Sequence, residues 1–141
     1  MPKPRSPHTS FWLLAALVAP MSLAAPLAGQ AIDVVEMTVD DVQAGYASGR
    51  FTAVELTRAF LERIERYEGR YNAFISMNPD ALTLAKALDV EYAASGPRGR
   101  LHGVPIVIKD NIDYAGLITT AGREGFSAGT GGVDMVPGDD A

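Results

Sequence analysis

Cysteine is absent from all 141 residues, which excludes disulfides, zinc–thiolate sites and thiol nucleophiles. Histidine is nearly absent too: only His8 and His102 occur, too few imidazoles for a transition-metal site, so neither a metal nor a cofactor is expected. Also missing is a basic stripe. Lys and Arg number 12 against 17 Asp and Glu, for a formal net charge of -5. Arg58, Arg63, Arg66 and Arg70 alternate with Glu55, Glu62, Glu65 and Glu68, as on a solvated helix face, and no nucleic-acid partner is expected. No Gly-Lys-Ser/Thr phosphate loop and no G-x-S-x-G elbow is found. What is present is ordinary for a globular domain, 48% hydrophobic and 21% charged residues.

Long hydrophobic runs are limited to one, Phe11 to Ala25, broken only by Pro20 and Ser22. Lys3 and Arg5 precede it, and small residues follow in Ser22-Leu23-Ala24 and Gly29-Gln30-Ala31. This three-part build reads as a secretory signal peptide over residues 1–31, cut after Ala24 or Ala31. The run is shorter than the roughly 20 residues of a membrane span. An exported, periplasmic or extracellular protein is therefore expected, with no membrane attachment after cleavage. Cutting at Ala31 leaves 110 residues and removes Lys3, Arg5, His8 and Trp12.

Residues 36–95 read as helical. Thr38-Val39-Asp40-Asp41 opens a short helix, with a hydroxyl cap and acids at its positive end, and Gly49 ends it. Thr52-Ala53-Val54-Glu55 is a capping box. Leu56, Phe60, Ile64 and Tyr67, with Ala53, Thr57 and Leu61 alongside, form one apolar stripe at the helical period, and Gly69 is expected to close the helix. Ala73–Met77 is a strand candidate. Asn78-Pro79-Asp80 turns into a third helix running to about Ala94, and 95–99 is a loop by composition.

The next stretch carries the chemistry. Val104 to Ile108 is apolar without alternation, as in a strand buried on both faces, and Pro105 belongs at its start. Lys109 follows directly. A lysine leaving a buried strand must pair its ammonium or give up its proton. Asp110 and Asn111 can fix this turn through bonds to backbone. His102 reads as a packed or capping residue.

Leu101-His102-Gly103-Val104-Pro105-Ile106-Val107-Ile108-Lys109-Asp110-Asn111 closely resembles the L-H-G-[IV]-P-[IV]-x-[IVL]-K-D-N segment of the amidase-signature family. Thr119-Thr120-Ala121-Gly122 matches that family's T-T-A-G, and the helices upstream agree in order. The resemblance covers about residues 36–122. It implies an α/β fold, a mixed central sheet flanked by helices, of which 32–141 would supply the N-terminal helices and first strands. It also implies hydrolysis of a small-molecule amide by a Ser–cis-Ser–Lys triad. In that triad Lys109 is the base, relaying through the cis-serine to a nucleophilic serine that forms an acyl-enzyme. Asp110 and Asn111 would support it, and Thr119, Thr120 and Gly122 would line the substrate site. A free lysine, with a pKa of about 10.4, accepts a proton at neutral pH only if burial disfavours its charge.

The family's two serines lie in a Gly/Ser-rich segment; residues 122–141 contain Ser127, Gly129, Gly131 and Gly132 but no G-S-S-G-like run, and they read as a surface loop. The chain is thus expected to be the N-terminal piece of an amidase, inactive alone, with 104–108 short of partner strands. The alternative is a non-enzymatic exported remnant or binding module. A further branch of the family, the intracellular glutamine amidotransferases acting on charged tRNA, is disfavoured by the export signal. Which amide is cleaved, and the oligomeric state, stay open.

Overall fold

Two threonines start the first two helices, as their spacing predicts. The computed structural model describes residues 31–141, so the expected signal segment lies outside the described residues except for Ala31. Helix α1 spans Val39–Ala47. The Thr38 hydroxyl accepts the Asp41 N–H at 3.2 Å, and the Asp41 carboxylate accepts the Thr38 N–H at 3.0 Å. Past Ser48 the chain turns at Gly49 in the left-handed region, φ 67°.

Helix α2 spans Ala53–Tyr71. Its Thr52/Glu55 box is closed in both directions. A second acceptor comes from helix α3, Ala81–Ser95: the Asp89 carboxylate takes the Ala53 N–H at 2.7 Å and the Val54 N–H at 3.0 Å. The first turn of α2 therefore has its free amides satisfied by both its own cap and a neighbouring helix. Gly69 does not close α2, contrary to the sequence expectation. One interior glycine costs only about 1 kcal/mol, and the left-handed residue is Asn72, φ 47°, whose N–H reaches Glu68 O at 2.8 Å. Helix α3 follows an Asx turn in which Asn78 Oδ1 accepts the Asp80 N–H at 2.9 Å.

The core is small. Val42, Tyr46, Phe51, Ala53, Leu56 and Ala85 are buried, and Ile32, Val34, Met37, Val54, Phe60, Tyr92 and Val104 pack around them. Phe51 fits because Gly45 has no side chain; a Cβ there would lie 2.2 Å from the Phe51 ring. The stripe of α2 divides along its length. Ala53, Leu56 and Thr57 are buried, while Tyr67 is exposed.

Neither expected strand forms a ladder; no strand occurs among the described residues. Residues 73–77 run as an irregular connection, with the Phe74 N–H donated to Glu68 Oε1 at 3.0 Å. Residues 105–108 leave the core with no backbone partner among the described residues, because a buried strand needs neighbours at both edges and this segment has none. The tail is the surface loop expected, mostly exposed and without helix or strand beyond two three-residue turns, but it is pinned. It folds back antiparallel to 113–119, with Thr119 N–H to Met135 O at 2.9 Å, Gly116 N–H to Pro137 O at 3.1 Å and Ala115 N–H to Asp140 Oδ1 at 2.8 Å. Among the described residues no helix is long and apolar enough to cross a membrane.

Candidate active site

Helix α1 aims the chain toward the lysine. Tyr46 donates its hydroxyl to Gly103 O at 2.7 Å, and the Gln43 amide donates to His102 O at 3.0 Å. Burial first, then the negative charge of Asp89, raises the Tyr46 hydroxyl far above its ordinary range, so it stays a donor. Gly103 has φ 72°, and a Cβ there would meet Tyr46 Cε2 at 3.0 Å and Ala53 Cβ at 3.2 Å, so both backbone and space require glycine. His102 is buried and structural. Its Nε2–H donates to Leu88 O at 3.0 Å, and Nδ1 accepts the Arg98 N–H at 3.4 Å, a tautomer set by those two partners.

From this anchor, residues 104–109 run along the edge of an apolar cleft of about 610 Å³. Thr57, Phe60, Leu61 and Ile64 of α2 form one wall, Leu84, Ala85 and Leu88 of α3 another, and Ala73–Met77 a third. Lys109 lines this cleft, yet its residue is exposed. Burial of the lysine, which the sequence led us to expect, is not provided by the described residues, because the extended segment before it has no backbone partner among them.

Asp110 binds across to the 119–122 turn. Its carboxylate accepts the Thr120 N–H at 2.9 Å, the Thr120 hydroxyl, and the Gly122 N–H at 3.3 Å, while its carbonyl accepts the Ala121 N–H at 2.8 Å. Partial burial pushes the carboxyl up. The Thr120 hydroxyl and amide, the Gly122 amide and the neighbouring Lys109 charge outweigh that and hold it below the ordinary aspartate range. Thr120 and Gly122 therefore bind Asp110 and do not face the cleft, while Thr119 does line it. Asn111 is exposed and makes no side-chain hydrogen bond among the described residues. The sequence reading missed the walls from α2 and α3. The signal was present in the α2 stripe, which continues past the buried Leu56 to Ile64. No group of three His, Cys, Asp or Glu able to hold a metal occurs among the described residues.

Residues 55–130, more than half of the chain, match the Amidase family. The chain belongs to the amidase family. A glutamyl-tRNA(Gln) amidotransferase subunit from Chloroflexus aurantiacus is 46% identical over 87 residues, covering 61% of this chain and 18% of that protein. The indoleacetamide hydrolase of Bradyrhizobium diazoefficiens is 43% identical over 77 residues, 54% of this chain and 15% of that protein. Among solved structures, the peptide amidase of Stenotrophomonas maltophilia superposes with a TM-score of 0.67 at 36% identity, over 76% of this chain and 21% of that one. The amidase-signature fold expected from the sequence is thus shown, and helices α1–α3 are part of it. The chain spans less than a fifth of the length of these curated relatives.

One expectation is overturned. Several of the amidase relatives are glutamyl-tRNA(Gln) amidotransferase subunits, the very branch that the export reading of residues 1–31 disfavours. An exported, periplasmic or extracellular protein does not follow.

Proposed function

We propose that residues 32–141 form the N-terminal part of an amidase domain and contribute the base of a Ser–cis-Ser–Lys triad that cleaves the C–N bond of a small-molecule amide. The observation that carries this reading is the position of Lys109, at the edge of an apolar cleft and one residue from the Asp110 clamp. Asp110 acts on the lysine turn rather than on substrate: with its carboxylate tied to Thr120 and Gly122, the backbone before it has little freedom to swing the lysine away. Asn111, exposed and without a side-chain hydrogen bond among the described residues, adds nothing to the clamp, and Thr119 borders the substrate space. In the reaction, Lys109 as a neutral amine takes a proton from the cis-serine, which takes one from the nucleophilic serine. That serine adds to the amide carbonyl, the amine leaves with a proton, and water releases the acid. Neither serine of such a relay is found in a Gly/Ser-rich segment of residues 1–141, so this stretch has no hydrolytic activity by itself.

The test is a chimera in which residues 55–130 replace the aligned segment of the Stenotrophomonas maltophilia peptide amidase. Amide hydrolysis is expected to persist. Lys109→Ala and Lys109→Arg should each lower kcat at least a thousandfold with the helical circular dichroism unchanged, since arginine does not deprotonate. An active Lys109→Arg chimera removes the base assignment. A second reading, the glutamine-hydrolysing part of an amidotransferase, is favoured by the 46% identity to the Chloroflexus protein. Glutamine hydrolysis exceeding peptide-amide hydrolysis in an equivalent chimera with that relative would select it.

A further inference from the structure

Among the described residues, no hydrogen bond or ion pair joins residues 105–141 to the helical part that precedes them. The Asp110 clamp ties Lys109 to the 119–122 turn, which belongs to the same region. It therefore fixes the lysine locally and sets no direction relative to the helices. That direction is set where the segment begins. There the chain makes two tight turns, with His102 N–H to Gly99 O and Val104 N–H to Leu101 O, each at 3.1 Å. The consecutive carbonyls of His102 and Gly103 project from these turns onto α1. The Gln43 amide donates to the first at 3.0 Å, and the Tyr46 hydroxyl donates to the second at 2.7 Å. We propose that Tyr46, seconded by Gln43, is a positioning residue for Lys109: by holding the Gly103 carbonyl it fixes the direction in which residues 104–109 leave the helices.

The leverage is large. Val104 and Lys109 are five extended steps of about 3.3 Å apart, so a swing of about 10° at Gly103 carries the lysine by roughly 3 Å. A misplacement of about 1 Å can cost about a hundredfold in rate. Tyr46 is itself well held. It is buried, and its ring lies edge-on to Phe51 and Tyr92, with centroids 5.5 and 6.1 Å away. Gly103 O has no other donor among the described residues, so losing the hydroxyl leaves a buried acceptor unpaired. Gln43 and Tyr46 both precede residues 55–130, which carry the family match, so the role is read from the geometry of this chain. It rests on the reading of Lys109 as base.

The test is Tyr46→Phe, which keeps the ring and removes only the hydroxyl. In the 141-residue chain, the Val104 amide should exchange about tenfold faster than in the wild type, with the amides of α2 little changed. In the peptide amidase chimera described above, extended to residues 32–141, kcat should fall about tenfold with KM within about twofold. Gln43→Leu should act in the same direction and more weakly. Val42→Ala, at an apolar core residue of the same helix, should leave kcat within about twofold. Unchanged kcat in Tyr46→Phe, beside an inactive Lys109→Ala chimera, overturns the positioning role and leaves the base in place. An equal loss of kcat in Val42→Ala makes Tyr46 a core residue only and overturns the role as well. A Lys109→Ala chimera that still hydrolyses removes the base, and the positioning role falls with it.

Discussion

Residues 32–103 bury Val42, Phe51, Ala53 and Leu56 against one another, whereas residues 104–141 leave Ile106, Val107, Val133 and Met135 in solvent. The first region is held by apolar contacts between helices, two of which start in capping boxes and one of which, α2, has a second acceptor in Asp89. The second is held by hydrogen bonds from turns and the returning tail, and it contains no helix longer than the three-residue turns Glu124–Phe126 and Ala128–Thr130. The difference shows where the free energy of this chain resides. Apolar residues such as Ile106 and Val107 contribute little when they have no surface to be buried against, and the candidate base sits just after them.

The largest expected effect tests this contrast directly. Leu56→Ala, at a side chain with no exposed area, should cost about 3 kcal/mol in urea unfolding followed by circular dichroism. Val107→Ala, at a side chain that stands mostly in solvent, should change stability by less than about 0.5 kcal/mol. Equal effects would mean that the second region has a core of its own. A smaller effect is expected at the junction of α2 and α3. Asp89→Ala leaves the Ala53 and Val54 amides without their acceptor, a loss of about 1 kcal/mol in the same assay; no change would show that the Thr52 box alone suffices.

The smallest effect is local and depends on pH. The Asp110 carboxyl lies below the ordinary aspartate range. The clamp it forms therefore stabilises the 119–122 turn at and above the usual carboxylate range, and it is lost only as pH falls through the lowered value. In an NMR titration, the Thr120 and Gly122 amide resonances should shift together, with a midpoint below that of exposed aspartates, and the shift should vanish in Asp110→Asn. A midpoint at or above the exposed range would break the clamp.

Much of the first region was legible in the sequence. Thr38 and Thr52 mark helix starts because a short hydroxyl side chain can reach an amide three residues on, and that requirement is local. The α2 stripe was legible for the same reason, since helical periodicity is a property of neighbours in sequence. The end of α2 was not, because Gly69 and Asn72 both accept a left-handed turn and only the packed chain chooses between them. Of the candidate site, Lys109 and Asp110 were visible from the motif around them. The separation of roles between Thr119, which borders the cleft, and Thr120, which binds Asp110, was not, since adjacent threonines look alike until the folded chain brings Asp110 against one of them.

By itself, then, the amino-acid order determined the helix starts, the apolar faces, the family and the lysine that marks it, all consequences of residues within a few positions of each other. Tertiary structure alone decided that Asp89 caps a helix 36 residues away, that α2 and α3 wall the cleft, and that Lys109 stands in water. Burial is a relation between distant parts of a chain, and an apolar run acquires it only where another surface arrives to exclude the solvent.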